Sequence, residues 1–452
     1  MSAVLLAFLV VCRVSLAQKH DEPPDTSPYR RAALEVASWL EACTTKTPEG
    51  TTWPVVPGSP SARESSNLYQ GSAGVVLFFL ESYRATGEKR YLELARSGAK
   101  HLLAKLPEKL GPAGASLYTG VAGTLFVLLE TYELSSEARW RDGARACVRL
   151  LRKRARKAGG GIEWNDTSDI IRGGAGIGLA LLHAATALQD DEECLALAEA
   201  AGRRLVELGR PAKQGKQWPM NPRYPRMMPN FSHGTAGVCY FLATLYQTSK
   251  KRLFLDAALD GARYLVSVAG SREDSGKDCL VFHHEPGGEE LFYLGWCHGP
   301  PGTARLFYRL WKISGEDKWL DFVKRSAAAV LQSGIPEKRT PGFWNNVGVC
   351  CGSAGVADWF LELHRITADD EYLRFARRLT DDLLARASKD ETGLSWVQAE
   401  HRVRPKLLEA QTGYMQGAAG IGLWLWKLAA YEEGRPMRLR LPDSPYPALT
   451  RR

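Results

Sequence analysis

A four-residue phrase, Gly-x-x-Gly, occurs seven times along the chain and organises it. The third position of each phrase is Ala or Pro, and the first glycines are Gly71, Gly120, Gly173, Gly234, Gly299, Gly352 and Gly417. Successive phrases are 49 to 65 residues apart. A phrase that recurs at such a period indicates an array of supersecondary units, each of which needs its neighbours to bury its apolar face.

Each phrase is followed by a strongly apolar run, for example residues 75–80 and 421–426. Such runs are apolar on nearly all sides, so helices made from them are buried, and they are too short to cross a bilayer. The segments between them, such as residues 91–96, have apolar residues at helical spacing and charges on the opposite face. Each unit is therefore predicted to contain one buried inner helix and one amphipathic outer helix.

The spacing within the units predicts how they are arranged. In five of six units an aromatic residue that opens the next outer helix lies twenty residues after the first glycine, as in Gly71 and Tyr91, while the return to the next phrase varies in length. Insertions therefore gather at the end that carries the phrases, and in repeat folds such variation marks the binding face. We predict an all-α fold, an α/α toroid of seven inner and seven outer helices with the phrases around its mouth. An open solenoid is the alternative.

Composition divides the chain into four segments. Residues 1–17 have an apolar core and a small-x-small end, which predicts a secretory signal peptide; residues 18–28 are a polar linker. Residues 29–433 form the toroid, and residues 434–452 are a tail that is expected to lie loose on the surface. The signal predicts export to the periplasm or the medium, whereas an ordinary N-terminal segment would imply a cytoplasmic protein. We expect a monomer without a membrane-spanning helix.

Charge and cysteine content bear on the possible partners and on the redox state. The net charge is +9, but the basic residues are spread over outer-helix faces and no nucleic-acid-binding motif is present, so a nucleic-acid partner is not expected. The nine cysteines would suit disulfides in an exported protein. Four of them lie in apolar helical contexts, which favours buried thiols: Cys43, Cys147, Cys194 and Cys239. Cys279, in a long connection, stays undecided.

The residues just before each phrase carry the chemistry. The residue that immediately precedes the first glycine is polar in all seven units, where a packing position would be apolar: Gln70, Thr119, Arg172, His233, His298, Cys351 and Gln416. Two further cysteines, Cys297 and Cys350, stand one position earlier. Thiolates and imidazoles at the N-termini of adjoining helices have the composition of a zinc site. A vicinal disulfide between Cys350 and Cys351, or inert thiols, is the alternative.

Four of these phrases, with their flanking residues, resemble lanthionine synthetase C-like proteins, the lanthipeptide cyclases. The segments are residues 169–176, 231–237, 296–302 and 348–355, and the resemblance covers roughly residues 29–433. It implies an α/α toroid with one central Zn²⁺ whose ligands map onto Cys297, Cys350 and Cys351. Cys351 departs from the commoner Cys-His-Gly motif, although a Cys-Cys-Gly variant occurs in the family. An open fourth position on the metal would mark a catalytic site.

The resemblance also implies a reaction. The family adds a cysteine thiolate to dehydroalanine or dehydrobutyrine in a peptide and so closes a thioether ring, and the resulting enolate needs a proton. His233 and Asp169 are the implied acid/base residues, although Asp169 could equally be a capping carboxylate. His298 could support the metal ligands or replace one of them, and Tyr293 stands where bacterial cyclases carry an arginine. The expected substrate is a dehydrated peptide, with an internal cysteine or a small thiol such as glutathione as the nucleophile.

Two other functions are compatible with a toroid of this kind. Six-hairpin glycosidases share the architecture and need two carboxylates that flank the sugar, for which Glu163, Asp166 and Asp169 are candidates. That function leaves the cysteine cluster unexplained. The second alternative is a non-catalytic binding protein that keeps zinc for stability.

Overall fold

Two concentric rings of helices form the protein in a computed structural model. The structure describes residues 27–59, 64–189, 191–221, 227–270, 280–282, 293–339, 346–399 and 406–450. The predicted signal peptide, most of the predicted linker and Cys279 lie outside the described residues.

Outer and inner helices alternate along the chain, and the odd-numbered helices form the outer ring. The helices in the described ranges are α1 (Pro28–Ala42), α2 (Ser72–Thr86), α3 (Lys89–Ala104), α4 (Val121–Ser135), α5 (Ala138–Arg154), α6 (Gly174–Ala187), α7 (Glu192–Leu208), α8 (Thr235–Ser249), α9 (Arg252–Val268), α10 (Pro300–Ser314), α11 (Asp317–Leu331), α12 (Ser353–Thr367), α13 (Asp370–Ala385) and α14 (Ala418–Glu432).

The inner helices are buried on almost every side because their sequences are apolar throughout. In α4 every residue from Val121 to Thr131 is buried. The outer helices bury one face only, and in five of them the third residue is the aromatic that the spacing predicted: Tyr91, Trp140, Phe254, Trp319 and Tyr372. One buried and one amphipathic helix per unit is therefore confirmed.

The inner ring is closed. Each inner helix contacts the next inner helix along the chain, and the last one, α14, contacts the first one, α2. Helix α1 packs against α14 as its outer partner, so the two ends of the helical region complete the seventh pair. This closure confirms the α/α toroid and excludes the open solenoid.

Close packing of the backbone explains the repeated glycines. The first glycine of each phrase is the N-cap of an inner helix, and the second lies in the first helical turn against a carbonyl oxygen six residues earlier. A Cβ on Gly302 would lie 2.0 Å from the Trp296 oxygen, and one on Gly355 would lie 2.0 Å from the Val349 oxygen. Any side chain there would collide with backbone, so only glycine allows the turn that precedes each inner helix.

Short antiparallel hairpins occupy connections from outer to inner helices, and the sequence analysis did not predict them. The strands within the described residues pair in chain order: β1 (Thr45–Thr47) with β2 (Gly50–Thr52), β3 (Arg156–Ala158) with β4 (Gly161–Glu163), β5 (Arg210–Pro211) with β6 (Lys216–Gln217), β7 (Ala269–Gly270) with β8 (Val281–Phe282), β9 (Ser388–Asp390) with β10 (Gly393–Ser395), and β11 (Val397–Ala399) with β12 (Leu408–Ala410).

A buried tryptophan docks four of these hairpins onto the preceding outer helix. It directly follows the second strand, and its indole Nε1 donates a hydrogen bond of 2.6 to 2.8 Å to a leucine carbonyl oxygen in that helix. The four residues are Trp53, Trp164, Trp218 and Trp396. Each pairs a large apolar surface with a satisfied polar group, which is how indoles are usually buried.

The expectation of a loose tail is wrong for the C-terminal segment, residues 434–450. Arg438 lies 3.7 Å from Glu133 of α4, while Asp443 lies 3.2 Å from Arg305 of α10, on the other side of the ring. Tyr446 and Leu449 are buried. The segment therefore crosses the space that the inner helices enclose. Its lack of helical periodicity reflects an extended path through that space rather than looseness.

The four described thiols outside the mouth form no disulfide. Cys147, Cys194 and Cys239 are buried and form no disulfide, as predicted, whereas Cys43 is only partly buried. Burial raises the pKa of the Cys147 thiol to about 12, so it stays protonated at neutral pH. In the part of the chain that the structure describes, no helix combines the length and the apolar character that a membrane span requires.

Candidate metal centre at the mouth of the ring

Three cysteine sulfurs meet at the mouth. Cys297 precedes α10, and Cys350 and Cys351 precede α12, so neighbouring inner helices supply them. The Sγ atom of Cys351 lies 3.2 Å from that of Cys297 and 3.4 Å from that of Cys350, and all three sulfurs lie within 4.8 Å of one another. All three are free thiols, and the Cys350–Cys351 separation is far longer than the S–S bond of about 2 Å in a disulfide. The vicinal disulfide is therefore excluded.

Backbone hydrogen bonds fix the positions of these cysteines. Two positions before the first glycine, the amide of one unit donates to the carbonyl oxygen of the equivalent residue in the next unit, with N–O distances of 2.8 to 3.2 Å. The donor–acceptor pairs are Tyr69–Tyr118, Tyr118–Ile171, Ser232–Cys297, Cys297–Cys350, Cys350–Met415 and Met415–Tyr69. The last pair joins the seventh unit to the first. No such bond joins Ile171 to Ser232 among the described residues, so Cys297 and Cys350 are adjacent links of one open series that runs from Ser232 through the seventh and first units to Ile171.

The cluster is largely buried, and its thiols differ in how readily they lose a proton. Cys297 and Cys350 are each 4% exposed. Hydrogen bonds from Cys297 and Cys351 hold the pKa of the Cys350 thiol well below its usual range, and the same contacts raise the pKa of Cys297. The N-terminus of α12 adds a partial positive charge beside Cys350. These contacts therefore favour the thiolate form of Cys350 over that of Cys297.

The triad is able to hold a metal ion. Among the described residues, Cys297, Cys350 and Cys351 form the one group of three or more cysteine, histidine or acidic side chains whose ligand atoms converge in this way. His298 is not a member of the group; its ring lies 5.1 Å from that of Tyr293 and 5.8 Å from that of His233. His298 is therefore placed beside the cluster, between Tyr293 and His233.

His233 and Asp169 form a pair at the same mouth. The Nδ1 atom of His233 lies 2.6 Å from Oδ2 of Asp169. Asp169 is fully buried, and its Oδ1 accepts hydrogen bonds from the amides of Arg172 and Gly173 at 2.6 and 2.9 Å. Asp169 thus caps the turn before α6 and also orients His233. The capping role that the sequence left open for this carboxylate is therefore observed, and its acid/base role stays a prediction.

The charge state of His233 follows from this contact. Burial lowers the pKa of His233, but the hydrogen bond and the negative charge of Asp169 outweigh that effect and raise the pKa above its usual value. A negative charge on Cys350 acts in the same direction. The His233 side chain is 29% exposed, so a substrate at the mouth can reach it. His233 is therefore suited to donate a proton near neutral pH.

Three polar residues near Cys350 received no role in the sequence analysis. The hydroxyl of Tyr69 donates to the Cys350 sulfur at 3.3 Å, and Gln416 and Gln398 lie behind it in a hydrogen-bonded row. Tyr69 and Gln416 stand two and one positions before a glycine phrase, so the repeat register could have found them. Gln398 lies in β11, outside any repeat position, and no signal in the sequence marks it.

Two of the three carboxylates proposed for a glycosidase, Glu163 and Asp169, are engaged by different partners. Glu163 is paired with Arg156 at 2.8 Å and with Arg204 of the outer helix α7 at 3.0 Å. Asp169 is committed to His233 and to backbone amides. Glycoside hydrolysis needs two carboxyl groups on opposite sides of one bond, and Glu163 and Asp169 have separate partners instead.

Comparison with known proteins identifies relatives of this chain. The family model described as lanthionine synthetase C-like protein matches residues 63–437. Among curated proteins, glutathione S-transferase LANCL1 of Danio rerio is 31% identical over 86 residues. That alignment covers 19% of this chain and 20% of the relative, so the chain matches about a fifth of that protein's length.

Solved structures agree on the architecture. Nisin cyclase aligns over 89% of this chain and 93% of its own, with a TM-score of 0.62 and 15% identity. The Lin0763 protein from Listeria innocua aligns over 90% of this chain and 97% of its own, with a TM-score of 0.50 and 13% identity. At such identities the likeness concerns the fold.

Proposed function

The chain belongs to the lanthionine synthetase C-like family, and we propose that it is a zinc-dependent enzyme that adds a thiol to dehydroalanine or dehydrobutyrine in a peptide. The observation that carries the proposal is the convergence of three free cysteine sulfurs within 4.8 Å at the mouth. His233 lies at the same mouth, and its partly exposed imidazole contacts the buried carboxylate of Asp169. Together they form the parts that thiol addition requires.

Zinc suits the donor set of Cys297, Cys350 and Cys351. Zinc binds thiolate sulfur at about 2.3 Å, so tetrahedral ligands lie about 3.8 Å apart. The observed separations of 3.2 and 3.4 Å need only a small outward movement of the sulfurs to reach that value. Soft thiolates favour zinc over magnesium, calcium or manganese. Three protein ligands would leave a fourth position for a substrate thiol, as in catalytic rather than structural zinc sites.

The reaction that we propose balances as an addition. Zinc, when bound, would lower the pKa of the substrate thiol so that a thiolate is present near neutral pH. The thiolate sulfur bonds to the β-carbon of the dehydroamino acid, and the π-electron pair moves toward the carbonyl as an enolate. The α-carbon then takes a proton from His233, while solvent accepts the proton that the thiol released. Asp169 keeps His233 protonated and correctly oriented.

The names of the relatives point to two sources of the thiol. Nisin cyclase is named for ring closure, and LANCL1 is named for transfer of glutathione. We propose a peptide electrophile in both cases, with either a cysteine of the same peptide or glutathione as nucleophile. Three thiolates would place more electron density on the metal than two thiolates and an imidazole, which favours a reactive nucleophile and a broad range of peptides.

A comparison of variants tests the proposal. Zinc-loaded protein should convert dehydroalanine peptides, with an internal cysteine or added glutathione, to thioethers that mass spectrometry detects. Cys297→Ala should lose both metal and activity, and Cys43→Ala, which removes a thiol that is not part of the cluster, should lose neither. His233→Ala should keep the metal and lose most activity. Equal rates for the Cys297→Ala and Cys43→Ala proteins would favour the non-catalytic binding protein.

A further inference from the structure

The hydroxyl of Tyr69 contacts one of the candidate metal ligands. Its oxygen lies 3.3 Å from Sγ of Cys350, although the two residues are 281 positions apart in the chain. Closure of the ring brings them together: Cys350 donates its amide to Met415, and Met415 donates its own to Tyr69, at 3.0 and 2.8 Å. Tyr69 in the first unit of the repeat thus contacts the sulfur of Cys350 in the sixth unit.

A row of hydrogen bonds fixes the direction of the Tyr69 hydroxyl. The amides of Val347 and Gly348 can only donate, and both lie 3.1 Å from Oε1 of Gln398, which must therefore accept. This leaves Nε2 of Gln398 to donate to Oε1 of Gln416 at 2.8 Å. The side-chain nitrogen Nε2 of Gln416 then donates to the hydroxyl oxygen of Tyr69 at 3.0 Å.

The consequence of this row is that the hydroxyl proton of Tyr69 is directed at Cys350. Each amide orientation follows from the one before it, and the series begins at backbone groups whose polarity cannot change. Gln398 and Gln416 are 1% and 3% exposed, so water does not compete for these bonds. Buried, fully satisfied rows of this kind hold their side chains in one arrangement.

We infer that Tyr69 is a positioning residue that donates a hydrogen bond to the Cys350 thiolate when the three cysteines bind a metal ion. The inference rests on the proposed function for the metal centre itself. A divalent ion with three thiolates carries a net negative charge in a site where two of the ligands are 4% exposed. Charge-assisted donors lower the cost of burying such a charge. Groups that hydrogen-bond to ligands orient them and tune the metal.

Tyr118 provides a matched control. It occupies the same position in the second unit, two residues before the first glycine, and is buried, whereas Tyr69 is partly buried. Its ring packs against that of Trp296 with centroids 5.5 Å apart, and among the described contacts its hydroxyl does not reach a cysteine sulfur. Tyr118→Phe therefore removes a buried hydroxyl from the mouth without changing the surroundings of the sulfurs.

The test measures metal binding and the cobalt spectrum. Full-length wild-type, Tyr69→Phe and Tyr118→Phe proteins are titrated with Zn²⁺ against a chelator and, separately, loaded with Co²⁺. Tyr69→Phe should bind zinc about 10-fold more weakly, within the range for lost partners of metal ligands. Its sulfur-to-cobalt charge-transfer bands should shift to lower energy, because the sulfur lone pairs lose a stabilising donor. Tyr118→Phe should match the wild type in both measurements.

The outcomes separate this inference from the proposed function. A wild-type protein that binds no metal would overturn both. Metal binding and thiol addition by the wild type, with Tyr69→Phe equal to Tyr118→Phe in affinity and spectrum, would overturn the role of Tyr69 alone. If Tyr69→Phe does not fold, Gln398→Met takes its place, since it removes the group that orients Gln416 and thereby the hydroxyl; Gln416 itself is kept because its side chain also hydrogen-bonds to Cys351. This variant should shift the charge-transfer bands in the same direction by a smaller energy. An unchanged spectrum would contradict the proposed role of Tyr69.

Discussion

At the scale of single residues, Asp169 is shared between the backbone and an imidazole. One oxygen accepts two amide protons and the other lies 2.6 Å from His233. The amides hold the carboxylate in place, so the position of His233 depends on the turn before α6 and not on its own unit alone. The proposed proton donor at the mouth thus depends on two consecutive units of the repeat.

Asp169→Asn should change the pH dependence of thiol addition. The amide oxygen can still cap the turn, but the NH₂ group would face Nδ1 of His233, and an imidazolium carries a proton on both nitrogens. The raised pKa of His233 should therefore fall. Activity that needs the imidazolium is present below that pKa and is lost as pH rises through it, so the loss should begin at lower pH. At neutral pH we expect a rate about 100-fold lower.

The matched control for this change is Asp166→Asn, which removes a carboxylate three residues earlier. Its pH profile should follow that of the wild type, as measured from initial rates with a dehydroalanine peptide. Coincident profiles for Asp169→Asn and wild type would show that His233 is not the proton donor. Loss of thiol addition in Asp166→Asn alone would instead assign the essential carboxylate to Asp166.

The residues of the candidate site differ in how far the sequence could identify them. The three cysteines and His233 stand at fixed positions before a glycine phrase, so the repeat register singles them out. Tyr69 shares that register, but its contact with Cys350 depends on ring closure, which spacing along the chain does not specify. Gln398 lies in a short hairpin, and only the folded chain places it behind Gln416.

At the scale of elements, the glycine phrase determines how each inner helix begins. The second glycine allows the chain to double back so that the residues before the phrase reach the helix N-terminus. The hairpins in the return connections were not predictable, because strands of two or three residues are too short for an alternating pattern. The tryptophans that dock them follow the outer helices at a regular distance, and this spacing is the sequence signal from which the hairpins could have been predicted.

Gly355→Ala should disrupt both stability and metal binding. The new Cβ would lie 2.0 Å from the Val349 oxygen, and the neighbouring residue is Cys350. Alanine is the better helix former by about 1 kcal/mol, but a collision with backbone in a packed site costs about 1–3 kcal/mol and displaces the turn. Urea unfolding should therefore show a net loss of stability, and the zinc content should fall below that of the wild type.

Gly111→Ala is the control for that substitution, because a Cβ at Gly111 would meet no atom within 4 Å. It should leave the zinc content unchanged and should not lower the unfolding midpoint. Equal stability and metal content in the two variants would mean that the turn before α12 adapts to a side chain. The collision with backbone would then not explain why glycine recurs at this position.

At the scale of the whole molecule, closure and filling of the ring are the features that the sequence did not determine. Seven units of similar length are compatible with a spiral as well as with a ring, because the rotation per unit depends on how the helices pack. The C-terminal segment then occupies the enclosed space, where it meets the buried charge of Arg305. Apolar and charged residues in a segment without periodicity look the same in sequence whether they lie on a surface or cross an interior.

Asp443→Asn should destabilise the whole ring. The side chains of Asp443 and Arg305 are 0% and 12% exposed, so the substitution leaves the guanidinium buried without a counter-charge. Removing one partner of a buried pair costs about 3–5 kcal/mol. The ion pair between Arg438 and Glu133 provides the control, because the Arg438 side chain is 74% exposed. Arg438→Ala should cost less than about 1 kcal/mol, as expected for a surface pair.

Urea-induced unfolding, followed by circular dichroism, measures both effects on the full-length protein. The double variant Arg305→Met with Asp443→Leu should recover most of the stability that Asp443→Asn loses, because apolar groups of similar size replace a buried pair at little cost. Recovery would show that the charge left behind, and not the loss of packing, causes the damage. If Asp443→Asn is as stable as Arg438→Ala, the C-terminal segment does not hold the inner helices together, and removing residues 434–452 should leave the ring intact.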